Sequence, residues 1–263
     1  MMEKTYFFLA GLPRTGSTLL GAILNQNPQI YVSSTSPLLD LVVGIDHVFK
    51  ISNQYNVNPK EHFKSKLFET FHEKWYDDID YPFIIDKSRG WTHHMSFAKH
   101  ISNNLKIICP VRDILEILSS FILINNEGKS IFDKELIKKN ISLTNDNRCD
   151  LLMKKGNGIV EQSLYGIAQC FLNGDDKYLH FVEYNDLVSD TKSTIDKIYD
   201  FLEIDKYDHD FENIVNKNEE NDNLLGIPNL HEVRKTISKK KNNPFEILST
   251  KMIEKYSDLE FWR

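Results

Sequence analysis

One stretch near the N-terminus constrains this chain more than any other: an apolar strand, a glycine-bracketed turn and a helix start, in immediate succession. Residues 5–10 (TYFFLA) are aromatic and apolar, the pattern of a buried strand. The turn reads Gly11-Leu-Pro-Arg14-Thr15-Gly16-Ser17-Thr18, and residues 17–25 have helical character. The frame G-x-x-x-x-G-x-[ST] is that of a phosphate loop with one departure, Ser17 in the place of the usual lysine. The physical purpose of the loop survives that change. Successive backbone N–H groups and a helix N-terminus form a concave anion site, and glycine lets the backbone come close to the anion. Ser17 and Thr18 add hydroxyl donors, and Arg14 supplies the cation inside the loop.

Beyond the loop, short apolar runs alternate with helical periodicity. Residues 30–32, 82–85, 106–111 and 178–183 read as extended. Residues 37–49 read as a helix opened by Pro37, and residues 63–75, 91–103, 114–122, 160–171 and 190–202 also carry helical spacing, the last capped by Asp190. This alternation predicts an α/β fold: a three-layer sandwich with a central parallel sheet and helices on both faces. A single domain is expected over residues 1–263, with a polar insertion at about 127–158 and a second irregular polar stretch over 216–243. A net charge of −6 argues against nucleic acid as a partner, so an anionic ligand must meet a local basic cluster. Three scattered cysteines (Cys109, Cys149 and Cys170) read as free thiols. No apolar run approaches a membrane span, and the run over residues 6–12 is too short for a signal peptide core, which points to a cytoplasmic enzyme.

The stretch GLPRTGSTLL resembles the 5′-phosphosulfate loop of the sulfotransferases, most closely the tyrosylprotein sulfotransferases and their bacterial relatives. Further motifs carry the resemblance across roughly residues 5–205. Ile108-Cys-Pro-Val-Arg112-Asp113 ends a strand and opens a helix, and Ser120 follows Arg112 by eight residues. In the family an arginine and a serine so spaced hold the nucleotide 3′-phosphate. Two helical turns separate Arg112 from Ser120, so both lie on one side of the helix. Asp86-Lys87-Ser88-Arg89 resembles the Asn-Lys-Asp of the tyrosylprotein members, and Glu183-Tyr184-Asn-Asp-Leu187 the family's Tyr-Glu-x-Leu, whose tyrosine helps hold the nucleotide. The resemblance implies a fold like that of the phosphate-loop nucleoside triphosphatases and 3′-phosphoadenosine 5′-phosphosulfate as co-substrate. It places Arg14, Thr15, Gly16, Ser17 and Thr18 at the 5′-phosphosulfate, and Arg112, Ser120 and Tyr184 elsewhere on the nucleotide.

The reaction expected is in-line transfer of a sulfuryl group to a hydroxyl or amine acceptor, driven by positioning and charge stabilisation. Lys87 then neutralises the leaving phosphate, a role that dispenses with a metal. The acceptor must also lose a proton. Where the tyrosylprotein members carry a glutamate, this chain reads Val32-Ser33-Ser34-Thr35-Ser36-Pro37, without a carboxylate. Asp40 is the nearest candidate base, with His93 and His94 behind it. Sulfotransferases often close a late basic segment over the nucleotide, and residues 222–242 have that character: Gly226 and Pro228 as punctuation, then His231, Arg234, Lys235 and Lys239 to Lys241. The expectation is a lid in which Arg234 or Lys235 reaches a phosphate. Two rival readings stand beside this one. A phosphate-loop kinase would use Asp86 to hold magnesium; a non-catalytic nucleotide-binding module would explain the missing carboxylate.

Overall fold

The computed structural model describes residues 4–125, 127–218, 220–238 and 243–263. Five strands form one all-parallel sheet: β1 (Thr5–Leu9), β2 (Ile30–Thr35), β3 (Phe83–Lys87), β4 (Ile107–Val111) and β5 (Leu179–Glu183), in the spatial order β2-β3-β1-β4-β5. The helices are α1 (Ser17–Leu24), α2 (Leu38–Ile51), α3 (Asn53–Val57), α4 (Glu61–Trp75), α5 (Met95–Ile101), α6 (Ile114–Ile124), α7 (Ile131–Lys138), α8 (Asn145–Leu152), α9 (Ile159–Leu172), α10 (Tyr184–Ser189), α11 (Thr191–Leu202), α12 (Pro244–Ile247) and α13 (Thr250–Tyr256).

Strand alternation divides the core between the two faces of the sheet. Phe8, Ile107, Cys109 and Val111 pack on one side with Ile117 and Leu118 of α6, Ile167 of α9 and Met252 of α13. Phe7, Leu9, Ile108 and Val182 pack on the other with Leu20 and Ile23 of α1 and Ile195 and Ile198 of α11. The result is the expected three-layer α/β sandwich, because strands buried on both faces need helices on both sides. No helix among the described residues is long and apolar enough to cross a membrane.

Three details depart from the sequence reading. β2 continues past Val32 to Thr35 through a register shift against β3. β3 extends to Lys87, so the lysine is the last residue of a strand rather than part of the following loop. The helix expected over 91–103 splits into a short 3₁₀ turn (Arg89–Thr92), which holds the fully buried Trp91, and α5. The polar segment 127–158 holds α7 and α8, which pack on each other and on α6.

β1 and β4 are neighbours at the centre of the sheet. The chain leaves β1 toward one edge, and from β4 onward it builds the other. That reversal opens a crevice beyond the carboxyl ends of β1 and β4, where open α/β sheets bind ligands. The glycine-rich turn leaves β1 there, and Arg112 follows β4 directly.

Candidate active site

The turn after β1 is held from within. Thr15 is fully buried, and its Oγ1 donates to the Leu12 carbonyl at 2.7 Å, so its hydroxyl braces the loop rather than facing the crevice. Gly16, the N-cap of α1, takes the left-handed conformation at φ 78°. A Cβ there would lie 3.3 Å from Tyr184 Cδ2 and Leu187 Cδ2, so glycine also lets α10 close against the loop. Arg14 is left-handed too, at φ 60°. A non-glycine residue there costs on the order of 1 kcal/mol, and such strain collects at working sites. The strain aims the Arg14 side chain across the crevice toward β4.

There it meets the two residues the sequence pairs. Arg14 Nε donates to Ser120 Oγ at 3.3 Å, and Arg112 Nη1 donates to the Arg14 carbonyl at 3.1 Å. Arg112 is 4% exposed; its Nε donates to Glu116 Oε2 at 2.8 Å, and its guanidinium lies 4.0 Å above the Tyr184 ring. Burial, followed by the neighbouring Arg112 charge, pulls Arg14 down from its ordinary value to about 10. Two guanidinium groups share this corner, and the carboxylate of Glu116 pairs with Arg112 alone. An anion placed here is attracted by both and relieves their repulsion.

A second cluster gathers around Lys87. Its Nζ donates to Glu220 Oε1 at 2.9 Å. Glu220 also accepts from the Thr35 backbone N–H at 3.2 Å and from Thr35 Oγ1 at 2.9 Å. His231 Nδ1 stands 3.2 Å from Glu220 Oε2 and 2.5 Å from Asp222 Oδ1. Burial alone would raise the Glu220 carboxyl, but the Lys87 charge and hydrogen bond, with His231 and Thr35, hold it below the ordinary glutamate range.

The first cluster lines a cavity of about 570 Å³, and from the second Thr35, Glu220 and His231 line it too; Lys87 and Asp222 stand behind Glu220 and His231 and are not among the lining residues. Its polar wall is made by Arg14, Gly16, Ser17, Thr18, Arg112, Ser120 and Tyr184 from the sheet side, and by Thr35, Arg89, Glu220, His231 and Arg234. Its remaining wall is mostly apolar, with Phe121, Phe132 and Ile159 facing Leu225, Ile227 and Leu230. The irregular segment from Glu220 to Ser238 thus forms one side of the cavity. Leu230 accepts from Arg14 Nη1 at 2.8 Å, and the left-handed Gly226 packs so closely on Lys129 that a Cβ would stand 2.1 Å from its carbonyl oxygen.

Most residues singled out in the sequence lie in or beside this cavity, but not all. Asp40 is exposed on α2 and is not among the lining residues. His93 Nε2 faces the Gln162 carbonyl at 2.5 Å, and neither His93 nor His94 lines the cavity. Arg234 lines it, whereas Lys235 is an exposed residue whose carbonyl accepts from the Ile214 N–H. Lys239 to Lys241 lie outside the described residues. Asp86 is 1% exposed, and its two oxygens accept from Tyr76 Oη at 2.5 Å and Trp91 Nε1 at 2.7 Å, so it is not placed to hold a magnesium ion in the cavity. Glu220 and Asp222 went unnoticed in the sequence. They sit in a polar run without periodicity, and nothing in the spacing ties Glu220 to a lysine 133 residues earlier.

The architecture matches known proteins. The sulfotransferase domain of the Synechococcus PCC 7002 olefin synthase superposes with a TM-score of 0.50 at 18% identity, covering 100% of this chain and 89% of that one. The mouse sulfotransferase SULT7A1, solved in complex with PAP, gives a TM-score of 0.51 at 16% identity, covering 97% and 82%. The sulfotransferase domain of the curacin biosynthetic pathway gives 0.50 at 15% identity, covering 99% and 86%. No curated protein matches the chain by sequence. The model of the "Sulfotransferase family" matches residues 7–209, most of the chain. This protein therefore belongs to the sulfotransferase family, and its fold is that of a sulfotransferase enzyme.

Proposed function

We infer that the enzyme moves a sulfuryl group from 3′-phosphoadenosine 5′-phosphosulfate to a hydroxyl or amine acceptor without a metal. The observation that carries this reading is the pairing of Arg14 and Arg112 around Ser120, one side of a cavity whose floor is the phosphate loop. A donor with phosphate groups at both the 3′ and 5′ positions needs two separate anion sites at about the span of a nucleoside. The cavity offers two. Arg112 and Ser120 form the site for the 3′-phosphate, with Tyr184 beneath Arg112; Arg14, expected from the sequence at the 5′-phosphosulfate, joins them because its guanidinium reaches Ser120. The loop N–H groups at the α1 N-terminus, with Ser17 and Thr18, form the site for the 5′-phosphosulfate.

The donor supplies a sulfuryl group on an anhydride whose phosphate gains charge as the sulfur–oxygen bond breaks. Lys87, fixed at the end of β3 by the sheet and oriented by Glu220, is the cation for that charge. Glu220 keeps Lys87 in one rotamer before the donor arrives, so little reorganisation accompanies the reaction. Residues 220–238 exclude water from this side, and Arg234 is the basic residue of that segment that lines the cavity. The kinase reading lacks its metal-binding aspartate, because Asp86 is buried and occupied. Radiolabelled 3′-phosphoadenosine 5′-phosphosulfate, incubated with a panel of phenols, alcohols and amines in EDTA, tests the reading. Label in an acceptor product supports it; label transfer that requires magnesium and ATP overturns it.

A further inference from the structure

We propose that His231, oriented by Asp222, is the base that takes the proton of the acceptor; this rests on the sulfuryl-transfer reading above. The geometry is that of an aspartate–histidine pair opening on the cavity. Asp222 holds His231 at two points: Oδ2 accepts from the His231 backbone N–H at 2.9 Å, and Oδ1 lies 2.5 Å from Nδ1. The second carboxylate, Glu220, reaches the same Nδ1 at 3.2 Å. Both carboxylates are acceptors, so Nδ1 carries the proton. Nε2 is left with its lone pair and with no hydrogen-bond partner among the described residues, on a ring that lines the cavity and keeps 18% of its side chain exposed. A histidine with one nitrogen clamped by a carboxylate and the other open to the ligand is the arrangement a general base requires.

The rival carboxylate is poorly suited. Glu220 already receives hydrogen bonds from Lys87 and from two donors of Thr35, and these favour its charged form. A carboxylate so stabilised holds a proton weakly. Its place beside Lys87 makes it a holder of the lysine and a second acceptor for His231. The charged groups around the imidazole are Asp222 and Glu220 in contact, Lys87 beyond Glu220, and Arg14, which reaches the neighbouring Leu230 carbonyl. Arg89 and Arg234 border the same cavity.

The step balances. The acceptor oxygen forms a bond to sulfur while its proton passes to His231 Nε2. The bond from sulfur to the bridging oxygen breaks, and its electron pair leaves on the 5′-phosphate beside Lys87. The proton departs from His231 to solvent once the product has left. Asp222 touches no reacting atom and is a positioning residue.

Two measurements test this. The first is nitrogen-detected NMR of wild-type protein with labelled histidine and saturating 3′,5′-adenosine bisphosphate. The expected result is a neutral His231 ring protonated on Nδ1 at high pH, with Asp222→Asn moving the tautomer toward Nε2. A ring protonated on Nε2 in the wild type overturns the proposal whether or not an acceptor is known. The second uses 2-naphthol as probe acceptor with the labelled donor. His231→Gln is expected to slow transfer by about 10²–10⁴-fold and to erase the acid limb of the pH–rate profile. Asp222→Asn shifts that limb and slows transfer less. Transfer by His231→Gln at the wild-type rate and pH profile refutes the base. Bisphosphate binding by calorimetry separates the two readings: wild-type protein that fails to bind it sinks the donor assignment, whereas intact binding with unchanged His231→Gln kinetics sinks only the base.

Discussion

Replacement of Arg112 by alanine removes the side chain on which the proposed 3′-phosphate site turns. In the free protein its Nε is committed to Glu116 and one Nη to the Arg14 carbonyl, and its plane rests on Tyr184. The rest of the fork faces the cavity. A hydrogen bond to a charged group contributes about 1.5–3 kcal/mol, so Arg112→Ala should weaken 3′,5′-adenosine bisphosphate about 10- to 150-fold. The lower half of that range is expected, because Arg14 remains beside Ser120 and keeps part of the site. AMP has no 3′-phosphate, so its affinity should change by less than about threefold, well under 1 kcal/mol. Calorimetric titration of both ligands into both proteins gives the comparison, and thermal unfolding checks that the variant is folded. Equal losses for AMP and the bisphosphate would refute the reasoning, because Arg112 would then act on the loop or the fold rather than on the 3′-phosphate.

Lys87→Ala should lower kcat about 100-fold or more while changing donor affinity little, because its contact strengthens as the leaving group gains charge; measured kcat and donor Kd separate these. Asp40→Asn should leave the pH–rate profile unaltered, since Asp40 is exposed on α2 away from the cavity lining. Burial pushes His72 down to about 3 and His209 to about 4, so both favour the neutral ring in the folded state. Their stability contribution is fully present above the unfolded value near 6.5 and is lost progressively as pH falls from there to the folded values. For His72, which is 1% exposed, the loss at about pH 4.5 is on the order of 2–3 kcal/mol. His72→Phe, packed between Tyr6 and Tyr76, should therefore lose less thermal stability between about pH 7.5 and 4.5 than wild type. Hydrogen exchange over residues 222–238 should slow when 3′,5′-adenosine bisphosphate binds; unchanged protection there would show that the segment does not close on the nucleotide.

The sheet and the wall of the cavity built from the phosphate loop, Arg112 and Ser120 were legible in the sequence because local pattern sets them. β1 and β4 are continuous apolar runs, and the loop and Arg112 each follow their strand immediately, so motif and topology place them together. Ser120 lies on α6, which starts two residues after Arg112, so the helix itself fixes its distance. The acceptor side was not legible. Glu220, Asp222 and His231 lie on a segment with no period, and they reach Lys87 and Thr35 only because the chain passes back over the ends of β2 and β3. Asp40 was attractive by its nearness in sequence to the segment after β2, but the start of α2 exposes it. Thr15 reads as a ligand in a phosphate-loop motif, yet its hydroxyl closes the turn on Leu12. In each case a side chain had two uses compatible with its spacing, and packing chose between them.

The cavity is proposed to recognise a nucleotide by separate 3′ and 5′ anion sites without a metal. Calorimetric titration in EDTA with 3′,5′-adenosine bisphosphate, set against ATP in excess magnesium, tests it most directly. The bisphosphate should bind tightly without metal, and ATP–magnesium more weakly by at least about tenfold, a difference of about 1.4 kcal/mol. Binding of ATP–magnesium as tight as or tighter than the bisphosphate would contradict this.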